Sequence, residues 1–255
     1  MLIAIIQNSE TTRYEHMDSV KIALAKGADV LIFRGFEGRY NGVFAGRYSG
    51  VFKGRYNNEF RNLSGERPSC NGSLKLRSSQ GGSSVSTQNA KLLVNALPDE
   101  RWLRLKPDGF HLNRYNLEIV LKKPELIELL RKSAGFFGAS VHNKEEITRA
   151  LLLHQKIPVS YLLVSPLFKP SYDQMAETLG IDGFKALYDN LTEECNKARI
   201  PRPRAIALGG INKDSAKELM PYNFIEGVAA MSAIGDLPDE VIERWREPMS
   251  PWSNL

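Results

Sequence analysis

His142 stands two residues beyond Ser140, where an apolar run, Phe136–Val141, gives way to the polar pair His142-Asn143. An imidazole with an ordinary pKa near ~6.5 can take and return a proton at neutral pH. The alternative is that Ser140 and His142 only close off the strand. His111, at a shorter run, Gly109–Leu112, is placed on the loop of that strand and would face the same mouth, as a second choice to His142. A second signal is a strand-like run followed by Gly209-Gly210 and the helix-opening Ile211-Asn-Lys-Asp-Ser. Glycines allow close backbone approach, and a helix start offers N–H groups and a positive dipole end to an anion. A later run, Gly227–Met231, likewise closes on small residues, Ser232 and Ala233. Gly209, Gly210, Ser232 and Ala233 are therefore the candidate phosphate cradle. Ser165-Pro166 could bring a hydroxyl to the ligand, and Ser171 with Lys169 could add phosphate contacts. The four histidines have no metal-ligand spacing, and neither Cys70 nor Cys195 has a C-x-x-C partner, so no metal is expected.

Eight strand-like runs position these residues, with helix-like segments between them. They begin at Leu2, Val30, Leu92, Gly109, Phe136, Tyr161, Ala205 and Gly227. Buried parallel strands read as continuous apolar runs because helices cover both faces of the sheet. Eight βα units predict closure into an α/β fold, a (β/α)8 TIM barrel, with its chemistry on the loops after the strands. Val20 and Leu24 share a face of the first helix, which Gly27 terminates; Pro124 and Gly135 bracket another. Asn143 with Glu146 three residues on reads as a capping box. Loops after the last two strands of such barrels frequently hold phosphate, which suits the Gly209-Gly210 and Ser232-Ala233 turns.

Composition bounds the function. Apolar residues make up 42% of the 255 and charged residues 25%, a globular balance. No apolar run reaches the roughly 18 residues of a membrane helix, and no leader pattern opens the chain, so a cytoplasmic protein without membrane partner is expected. The net charge of +5 resides wholly in residues 37–90, which hold eight Lys/Arg against three Asp/Glu. That segment carries three tandem octapeptides, starting at Gly38, Gly46 and Gly54, and then a Ser/Gly-rich stretch. It reads as a low-complexity insert in one barrel domain spanning residues 1–255. Arg-Tyr repeats could serve single-stranded nucleic acid, but the charge-neutral body argues against nucleic acid as the main partner.

Phe137-Gly-Ala-Ser-Val-His-Asn, Val164-Ser-Pro-Leu-Phe, Ala207-Leu-Gly-Gly-Ile and Gly227-Val-Ala-Ala-Met-Ser-Ala-Ile occur in an order and spacing that resemble the thiamine phosphate synthases and their TenI-like thiazole tautomerase relatives. Asp108–Arg114 resembles that family's fourth strand and Leu92–Asn95 its third. The resemblance covers residues 90–235 well and residues 1–36 loosely. It implies an enzyme of thiamine biosynthesis whose small phosphorylated thiazole ligand sits against the last two loops. It also implies a substrate-binding set of Arg34, Asn95, His111, Asn113, Ser140, Ser165 and Ser171. In the tautomerase branch the histidine after strand five is the acid/base, which assigns catalysis to His142.

The departures bear on mechanism. Synthases carry Gln-x-Arg-x-Lys at the second strand; here Ile32, Arg34 and Phe36 keep only the arginine. The acids that bind magnesium are replaced by Ala96, after Asn95, and by Asn116. Magnesium prefers carboxylate oxygens, so the expectation is a tautomerase-like proton transfer with no cofactor, Mg2+ entering only in the synthase alternative. A non-catalytic phosphate-ligand sensor is a third reading, and a homo-oligomer stays open.

Overall fold

The computed structural model describes residues 1–7, 15–34, 90–105, 107–133, 135–170, 175–231 and 233–245. The octapeptide insert, Phe36, Cys70, Ser171 and Ser232 fall outside the described residues. The described chain runs β1 (Leu2–Gln7), α1 (Glu15–Ala25), β2 (Val30–Arg34), β3 (Lys91–Val94), α2 (Glu100–Leu105), β4 (Gly109–Leu112), α3 (Arg114–Lys122), α4 (Pro124–Lys132), β5 (Gly138–Val141), α5 (Lys144–His154), β6 (Tyr161–Val164), α6 (Gly180–Ala198), β7 (Arg204–Leu208), α7 (Lys213–Leu219), β8 (Val228–Ala230) and α8 (Asp239–Trp245). The eight strands are parallel, pair in sequence order and close, β8 against β1. This is the expected TIM barrel.

The period of two along each strand explains why the runs are apolar throughout. Leu31, Phe33, Leu92, Val94, Phe110, Leu112, Ala139 and Val141 pack outward against the helices. Ile3, Ile5, Val30, Ile32, Leu93, Tyr161, Leu163, Ile206 and Ala229 fill the barrel interior. Full burial of one such Leu or Ile is worth about 1.5–3 kcal/mol, so both faces contribute to the fold. Extending the inward parity one step beyond the strands selects Arg34, Asn95, His142, Ser165 and Met231. Because all strands are parallel, these residues share one rim.

Two local readings change. Between β4 and β5 the chain forms two helices rather than one. Asn113 Oδ1 caps α3 by accepting from Tyr115 N and Asn116 N, while Leu117 and Val120 bury its inner face. The capping box at α5 is offset: Asn143 Oδ1 accepts from Glu146 N at 3.0 Å, but Glu146 Oε2 accepts from His142 N at 2.8 Å, one residue before the cap. Among the described residues no helix is long and apolar enough to cross a membrane.

Candidate active site

The rim where the strands end brings most of the sequence-derived candidates together. His142 follows β5, its ring tied by Nδ1 to Ser165 at the end of β6. The distances are 2.6 Å to the Ser165 carbonyl oxygen and 3.2 Å to its hydroxyl. A carbonyl only accepts, so Nδ1 carries the proton and neutral His142 keeps its lone pair on Nε2. Nε2 has no partner among the described residues. Glu146 holds the backbone N–H of the same histidine, so Ser165 and Glu146 are structural supports for one imidazole.

His111 is different. It is completely buried inside the barrel, one level below the rim. Its Nδ1 meets Tyr161 Oη at 3.1 Å and its Nε2 meets Ser140 Oγ at 2.8 Å. Burial, and then the positive charge of Arg34, lower its pKa from the ordinary 6.5 to about 3. Burial also pushes the Tyr161 hydroxyl up. Gly138 makes this contact geometrically available: a Cβ there would stand 2.0 Å from the Tyr161 ring carbon Cζ. Only a residue with no side chain lets the tyrosine lie across β5 toward His111, the two rings near parallel with centroids 5.7 Å apart.

The β7 turn is shaped by its neighbour. Gly209 and Gly210 take φ of +102° and +64°, where a side chain is strained, and a Cβ on either would run into the Pro166–Lys169 loop. The Leu208 and Gly209 carbonyls accept from Leu167 N and Phe168 N at 2.8 and 3.0 Å. In a planar trans peptide the next N–H points the opposite way, so the amides of Gly209 and Gly210 both face away from the β6 loop, toward the β8 side. Two adjacent amides aimed alike form a concavity suited to an anion. β7 and β8 are adjacent and parallel, so the turn at Ala233 lies at the same end. The start of α7 offers less than expected, since Asn212 Oδ1 already takes the amides of Asp214 and Ser215.

The remaining candidates serve partly as scaffold. Asn113 caps α3 and donates through Nδ2 to Asn95 Oδ1 at 3.4 Å, joining the ends of β3 and β4. Arg34 ends β2 exposed at the rim. His154 lies away from the rim, held between Val159 N and the Pro201 carbonyl, with burial lowering its pKa. Cys195 is a buried free thiol. Sequence reasoning missed Tyr161 as a functional group; its hint was Gly138, an inward position of β5 with no side chain.

The magnesium that the resemblance implies is tested by the same residues. Ala96 is buried and brings no donor oxygen; Asn116 buries an Nδ2 with no partner among the described residues. Asn95 Oδ1 is taken by Asn113. Among the described residues no three His, Cys, Asp or Glu side chains gather to hold a metal. A hard cation wants several oxygens, and these residues do not fit one.

A closed parallel barrel with imidazole, hydroxyl and amide groups at its strand ends defines the class: a (β/α)8 barrel. The family model of thiamine monophosphate synthase matches residues 80–234, and the chain belongs to that family. It is similar to the thiamine-phosphate synthase of Helicobacter pylori (strain J99), with 30% identity over 141 residues, 55% of this chain and 56% of the relative. It is also similar to that of Pyrococcus furiosus, with 27% identity over 132 residues, 52% of this chain and 54% of the relative. The chain thus spans about half the length of these curated relatives. In the fold, it is similar to KGPDC of Streptococcus mutans, with a TM-score of 0.53 and 11% identity over 96% of this chain and 94% of that one.

Proposed function

We propose that this chain is an enzyme of thiamine biosynthesis that binds a thiazole phosphate and moves a proton on it through His142. The observation that carries the reading is the His142–Ser165 contact. A proton fixed on Nδ1 leaves Nε2 as a base at the rim. Nε2 takes a proton from one position of the thiazole moiety, and the electron pair left behind delocalises over the ring. The imidazolium then returns the proton at another position, so composition is unchanged and the base is regenerated. Ser165 holds the ring in one orientation and its carbonyl stabilises the imidazolium while it exists. The Gly209 and Gly210 amides, with the turn at Ala233, hold the phosphate. Arg34, at the end of β2, adds positive charge to the mouth.

The names of the relatives favour a second reading, joining of a pyrimidine pyrophosphate to thiazole phosphate. Loss of pyrophosphate needs charge neutralisation, and the Asn95, Ala96 and Asn116 positions supply no carboxylate for it. Turnover assays on the purified chain separate the two. Tautomerisation of the thiazole phosphate that is indifferent to EDTA is expected, with little condensation in added magnesium. Robust magnesium-dependent condensation without tautomerisation would replace this reading with the synthase. Binding without either turnover would leave a ligand sensor.

A further inference from the structure

We propose that Ser140 is a dedicated hydrogen-bond donor to the ligand, its polarity set by Tyr161 acting through His111. The proposal rests on the ligand site proposed above and deepens it, because it states what kind of ligand atom can face β5.

The Tyr161 hydroxyl is completely buried, and among the described residues its one partner is His111 Nδ1. His111 in turn has two partners, Tyr161 Oη and Ser140 Oγ. Two neutral tautomers are open to it. With the proton on Nδ1, the ring donates to Tyr161 and the tyrosine's own proton is stranded in the barrel interior. With the proton on Nε2, the tyrosine donates to Nδ1, Nε2–H donates to Ser140 Oγ, and every buried donor is used. A buried donor left unmade disfavours the first arrangement about tenfold or more. The doubly protonated ring is opposed by burial and by Arg34, as its depressed pKa reflects.

The serine's role follows. Its oxygen already receives the Nε2–H bond, and it has no other partner among the described residues, so its own proton is free to turn toward the half-open mouth. The contact looks like a nucleophile beside its base, but its polarity is reversed: His111 Nε2 carries a proton and cannot accept the one on Ser140. The ligand atom that takes the Ser140 proton must therefore present a lone pair, as an unprotonated ring nitrogen or an oxyanion does; an N–H facing the same oxygen reaches only its second lone pair and leaves the hydroxyl proton unused. Ser140 and His142 share the inward side of β5, so one donor and one base stand side by side on a single strand end.

The direct test uses the whole chain with ¹⁵N-labelled histidine and no ligand. Two-bond ¹⁵N–¹H correlations at neutral pH, assigned with His111→Gln, should show His111 protonated at Nε2 and bare at Nδ1, unchanged down to about pH 4. A proton on Nδ1, or an imidazolium at neutral pH, overturns the proposal. Tyr161→Phe keeps the ring and removes the donor, and should bring the two tautomers to comparable populations. Thiazole phosphate should bind Ser140→Ala about fivefold and Tyr161→Phe about twofold more weakly than the unaltered chain, and the double variant no more weakly than Ser140→Ala. Full affinity in Ser140→Ala, with the tautomer as stated, overturns the donor role. Failure of the unaltered chain to bind thiazole phosphate would instead sink the proposed function, while the tautomer measurement, which needs no ligand, would still decide the Tyr161–His111 polarity.

Discussion

Where the strands begin, carboxylates close the barrel. Asp29 Oδ2 accepts from Leu2 N and Asp108 Oδ2 from Leu92 N, each at 2.8 Å. Glu226 takes Ala205 N and both arms of the Arg202 guanidinium, which also lies over the Tyr188 ring. Where the strands end, the described residues offer imidazole, hydroxyl, amide and guanidinium groups, and the Glu146 carboxylate is turned onto the backbone of His142. The acids at the first rim are consumed by the protein's own amides. At the second rim, His142 Nε2 and the Ser140 hydroxyl proton keep capacity for something else. Barrels divide labour in this way between stability at the strand starts and chemistry at the strand ends.

Substitutions at the two rims should separate cleanly. His142→Ala is expected to lower tautomerase turnover by about 10²–10⁴-fold, the usual contribution of a general base. Thiazole phosphate affinity should stay within a few-fold and the melting temperature should not move. Turnover unchanged in that variant would remove the base from the second rim. Glu226→Ala is the converse and smaller change. It leaves Arg202 half-buried without its partner and the Ala205 N–H unmet, and should cost about 2–3 kcal/mol in urea unfolding with turnover per folded molecule retained. A loss below about 0.5 kcal/mol, no more than an ordinary surface substitution costs, would deny the first rim its structural role.

The architecture was legible in the sequence because both faces of a barrel strand are buried, so Val30–Phe33 or Tyr161–Val164 read as unbroken apolar runs. His142, Ser165 and the Gly209-Gly210 turn were legible for a related reason: each lies directly beyond such a run. The first of the two helices between β4 and β5 was not separated, although Asn113 ahead of Leu117 and Val120 marks its start. The Tyr161–His111–Ser140 chain could not be read at all. His111 and Tyr161 are fifty residues apart, and they meet only because register places His111, Gly138 and Tyr161 at one level of the barrel. A one-dimensional pattern holds no trace of that coincidence. The Asn212 cap was visible as a helix start, but its use of amides expected for an anion depends on a side-chain rotamer.

The account's central claim, that one ligand spans the β7–β8 turns and the His142 imidazole, is tested most directly by a crystal structure of the chain with thiazole phosphate bound. The phosphate is predicted to lie on the amides of Gly209, Gly210 and Ala233. The thiazole should then sit within about 3.2 Å of His142 Nε2, the reach of a hydrogen bond, and offer a lone pair to Ser140. Phosphate held elsewhere on the molecule, or a thiazole ring beyond the reach of His142 with its phosphate in that cradle, would contradict it.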